Sequence, residues 1–150
     1  MTEDPVARDD IASSEVHSVA DPIGLALTAI GAGAAAGALV ITLGVVALRI
    51  VQGGDAQTEA NPTDFTLLTA AVMAGPVVTV TMTLLATRVI GDLWRRAVAS
   101  AIAVFCAFLL AGLAAPVDLI AGRAGLGALA AALLGATAAL ARRAKHIALQ

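Results

Sequence analysis

IGLALTAIGAGAAAGALVITLGVVAL, residues 23–48, carries no charge along its whole length. A hydrocarbon core of about 30 Å needs about 20 helical residues at about 1.5 Å each. The stretch is longer than one crossing requires. Three further uncharged stretches follow at 65–87, 97–115 and 124–141. All nine basic and all eleven acidic residues fall outside the four. That exclusion places the chain in a bilayer.

Composition agrees. The 150 residues are 59% hydrophobic and 13% charged, with mean hydropathy +0.92, whereas soluble domains are about 25% charged. In lipid every backbone N–H and C=O must be satisfied, so only helices or closed barrels span. Barrel strands alternate apolar and polar residues, and stretches such as 124–141 do not. The sequence therefore predicts an all-α polytopic membrane protein with four transmembrane helices. The last span is the shortest and the richest in alanine, and is expected to lean on its neighbours.

Three regions are expected. Residues 1–22 form an acidic, disordered cytoplasmic tail. Residues 23–141 form the transmembrane domain, and 142–150 a short basic cytoplasmic tail. The first region holds one base, Arg8, against six acids, unlike the basic start of a signal peptide. Orientation follows the basic residues. Arg8, Arg88, Arg95, Arg96, Arg142, Arg143 and Lys145 share one side; only Arg49 and Arg123 lie on the other. Both termini are accordingly expected in the cytoplasm of a bacterial inner membrane. Arginine outnumbers lysine eight to one, and alanine is abundant; both are compositional habits of GC-rich bacterial genomes.

Local signals mark the ends. Asp21 suits an N-cap before Pro22 at the first helical position. Thr63 or Asp64 is placed to cap the second helix, and Asp92 the third. Gly53-Gly54 and Asn61-Pro62 mark the first outer loop. The third loop begins at Pro116 and includes Asp118 and Arg123. Trp94 falls at an interface, where its amphipathic ring is favoured.

Small residues predict packing faces, because they let helix backbones approach. The first helix has them on two sides. One row runs Gly24, Thr28, Gly31, Ala35, Ala38 and Thr42; the other holds Gly33, Gly37 and Gly44. It should have neighbours on both sides, with the Gly33–Gly37 GxxxG serving the fold more than a dimer. On the fourth helix, Ala124, Ala128, Ala131, Gly135 and Ala139 oppose Leu126, Leu129, Leu133 and Leu140. The small face is expected against protein and the leucine face against lipid. In the second helix, Pro76 predicts a kink. Gly75, Pro76, Thr79, Thr83 and Thr87 form a possible polar seam. Two readings apply: a path for a small solute, or hydroxyls bonded to their own helix and packed between helices.

No span carries an ionisable residue. That argues against pumps and proton paths. It also argues against the rotor subunits of rotary ATPases, despite the glycine-rich 29–38 segment, and against small multidrug proton antiporters. His17 and His146 sit in no ligand cluster, and Cys106 reads as a small packing residue. No nucleotide or nucleophile motif is present. No catalytic residue, metal or cofactor is expected, nor a nucleic-acid partner. The expected partners are the lipid bilayer and another membrane protein or a second copy. The expected function is a non-catalytic accessory or assembly subunit of a larger membrane complex. The alternative is a small oligomeric transporter or channel component for a neutral or weakly polar solute.

Overall fold

A computed structural model of the chain describes residues 22–52, 62–88 and 92–147. The expected tail at 1–21, its Asp21 cap, and the loop signals Gly53-Gly54 and Asn61 lie outside these residues. Four helices run in order: α1 (Pro22–Val51), α2 (Pro62–Ala86), α3 (Leu93–Gly112) and α4 (Ala114–Ile147). Each is long and apolar enough to cross a membrane. Among the described residues there is no strand. The protein is all-α with four spans.

The helix starts follow from the sequence. Pro22 and Pro62 each open a helix, where a missing N–H costs nothing and φ is already set. Because α2 begins at Pro62, Thr63 and Asp64 lie inside its first turn and are not its caps. Asp92 does cap α3: its carboxylate accepts the backbone N–H of Trp94 at 3.1 Å. Pro76 sits within α2 without ending it.

With 30 residues, α1 is about 45 Å long at about 1.5 Å per residue. It is the hub of the fold. It packs against α2, α3 and α4, and α2 also packs on α3. By contrast α4 meets α2 and α3 at only a few points and rests on α1.

The expected third loop is largely helical. α4 is two helical segments meeting at Gly122, where φ is 56° and ψ −148°. At Gly125, an added Cβ would lie 2.9 Å from Val117 Cγ1 and 3.2 Å from its carbonyl oxygen. The 114–121 segment therefore folds back along the start of the long one. Helix also continues past residue 141 to Ile147, so Arg142, Arg143, Lys145 and His146 are helical.

Candidate functional site

The tightest contact in the chain is the α1–α2 seam. A Cβ built on Gly37 would collide with Thr79 Oγ1 and come within 2.9 Å of the Gly75 carbonyl oxygen. One at Gly33 would strike Thr83 Oγ1 and lie 3.0 Å from the Thr79 carbonyl oxygen. Gly75 reciprocates, its Cβ position lying 2.7 Å from Ile41 Cγ1 and 3.2 Å from the Gly37 carbonyl oxygen. Gly44 faces Ala71. Backbone thus meets backbone, as small residues allow. On the other side of α1, Gly31 has Leu140 of α4 at 3.1 Å from its Cβ position.

The threonine row fills this seam. Thr79 donates to the Gly75 carbonyl at 2.9 Å, Thr83 to Thr79 at 2.8 Å, and Thr87 to Thr83 at 2.7 Å. All three are 0% exposed. Their hydroxyls are spent on their own helix, and Gly37 and Gly33 of α1 lie over Thr79 and Thr83. Gly75, Thr79, Thr83 and Thr87 are all buried, and such bonds satisfy threonine hydroxyls where water is absent. Thr28 behaves alike, reaching the Gly24 and Leu25 carbonyls. Thr42 is different: it is fully buried and its hydroxyl has no partner.

α4 faces opposite to the expected way round. Its small residues do gather on one face, but Ala124, Ala128, Ala131 and Gly135 are exposed. The leucines turn inward: Leu126 is 1% exposed and Leu133 7%. The assignment of faces is thus corrected within this chain. On α1, Gly31 leaves room that Leu140 of α4 occupies, 3.1 Å from the glycine's Cβ position.

At the C-terminal end of α1, three charged side chains converge: Arg49, Asp118 and Arg123. Arg49, in the last turn of α1, pairs with Asp118 of the 114–121 segment, its Nε donating at 2.9 Å. The Arg123 guanidinium donates to the Arg49 carbonyl at 3.4 Å. The carboxylate side chain is 13% exposed. The available signal was two lone, opposite charges at the ends of different apolar spans on one side of the membrane. A cavity of about 400 Å³ lies beside the pair, walled by Val45, Leu48, Leu68 and Ala111.

At the opposite end, Arg96 donates to the Leu84 carbonyl at 3.3 Å, tying α3 to α2. Its Nε is buried without a partner. Arg95 pairs with Asp92 at 3.3 Å. Trp94 is exposed, at the start of α3. Cys106 is half-buried and unpaired. Among the described residues no three His, Cys, Asp or Glu side chains come together in a way that would hold a metal.

No protein-family model, curated protein or solved structure matches this chain.

Proposed function

We propose that the protein is a non-catalytic accessory or assembly subunit of a larger complex in a bacterial inner membrane, with both termini cytoplasmic. The observation that supports this reading is the outward face of α4. That helix rests on α1 and leaves Ala124, Ala128, Ala131 and Gly135 uncovered. A Cβ added to Gly127 or Gly135 would meet nothing within 4 Å. Lipid offers no gain for exposing alanine over leucine, whereas a small face lets another helix come close. A second membrane protein is the occupant this reading requires. The seven-to-two distribution of basic residues supports the orientation.

The test is cross-linking in native membranes through cysteine placed at Ala131, with Cys106 replaced by alanine. Mild-detergent purification and mass spectrometry follow. A stoichiometric larger partner joined at residue 131 is the expected result. Recovery of the chain alone, with no cross-link at that position, refutes the reading.

A further inference from the structure

Because α2 and α4 hardly touch, a groove of about 300 Å³ opens between them over α1. Ala32 and Ala144 form its floor, Met82 and Leu85 one wall, and Ala141 the other. Ala32 and Ala144 are buried beneath it. The trough is narrow and apolar, and one rim residue is charged: Lys145. Arg88 stands at the same end, three residues beyond Leu85. The backbone there keeps helical hydrogen bonding through Thr87, whose N–H reaches the Thr83 carbonyl at 2.9 Å. Three residues of chain span at most about 11 Å, so Arg88, in the turn that ends α2, stays near the α2 wall. Arg88 and Lys145 are both exposed. Among the described residues no carboxylate pairs with either; Asp92 is engaged by Arg95.

We infer that this groove binds one anionic phospholipid, an acyl chain lying in the trough between α2 and α4 and its phosphate held by Lys145 and Arg88. The inference does not depend on the accessory-subunit reading. An unsealed gap between helices in a bilayer is filled by acyl chain whatever the headgroup. Selectivity comes from the two cations at the mouth, which favour a negative headgroup. The acidic segment 1–21, joined to α1 at Pro22, is the rival occupant. It can neutralise the cations, but it has no apolar run to fill the trough.

The experiment uses the full chain in a neutral detergent, with lipid added as mixed micelles. Thermal midpoint and native mass spectrometry are the two readouts. Phosphatidylglycerol is expected to bind at one per chain and raise the midpoint. Phosphatidylcholine of the same chain length is expected to bind more weakly and to raise the midpoint less, and inorganic phosphate to do neither. Combining Lys145→Gln with Arg88→Gln should raise the phosphatidylglycerol concentration for half-maximal effect roughly tenfold or more. Both positions are exposed, so the fold is not at stake. Ala141→Leu should displace the lipid while leaving every charge in place. Equal retention of the two lipids, or an unchanged response in the glutamine pair, overturns the inference. So does a shift reproduced by inorganic phosphate. A response that appears only after residues 2–20 are deleted assigns the groove to the acidic segment and also overturns it.

Discussion

Replacing Gly37 by alanine tests the seam most directly, provided it is read against Gly135→Ala. Both glycines lie inside helices, so each substitution gains the same helix propensity, about 1 kcal/mol. That term cancels in the difference. At Gly135 the new methyl meets nothing within 4 Å; at Gly37 it collides with Thr79 Oγ1 and lies 2.9 Å from the Gly75 carbonyl oxygen and 3.2 Å from Thr79 Cβ. Two of those atoms are backbone or fixed close to it, and the Thr79 hydroxyl is already bonded to Gly75. Relief therefore requires α1 and α2 to move apart. That separation also loosens Thr83 against Gly33. Overpacking of a well-filled contact costs about 1–3 kcal/mol. The two variants should differ by that amount, with Gly37→Ala the less stable. Unfolding in SDS–detergent mixtures measures it, with modification of the lone thiol, Cys106, as the reporter. Equal stability of the two variants would refute close backbone approach as the basis of the α1–α2 contact.

Four further outcomes are expected. Thr42→Val should be neutral or stabilising in the same titration, because it removes a buried hydroxyl without a partner at nearly constant shape. Thr79→Val should destabilise by about 1 kcal/mol, because it removes a satisfied one. A stabilising Thr79→Val would contradict the assignment. In a double-mutant cycle, Arg49→Leu and Asp118→Leu should show coupling of about 1 kcal/mol, the guanidinium being too exposed for the value of a deeply buried pair. Strictly additive effects would mean that the ion pair contributes nothing. Gly122→Ala should lower the thermal midpoint by the equivalent of about 1–3 kcal/mol. Its φ of 56° and ψ of −148° lie where side-chain-bearing residues are strained, although space around it is free. An unchanged midpoint would show that the reversal does not depend on glycine.

Much of the architecture is dictated by the sequence alone. Charge is excluded from four stretches, and a backbone in lipid must bond to itself, so four helices follow with no tertiary information. The two small faces of α1 were equally legible, since glycine and alanine at helical spacing permit close neighbours wherever they occur. Of the candidate seam, the sequence marked the residues and left two readings open. Only the fold shows that Gly33 and Gly37 cover Thr79 and Thr83, closing the row within the chain. Tertiary structure alone decided the rest: that α1 is the hub, that Asp118 meets Arg49, and which way α4 faces. In water, hydropathy would have turned the leucines of α4 inward. In a bilayer lipid solvates leucine and alanine faces alike, so hydropathy is silent on rotation. The choice falls to shape, and on α1 the missing side chain of Gly31 leaves room for Leu140.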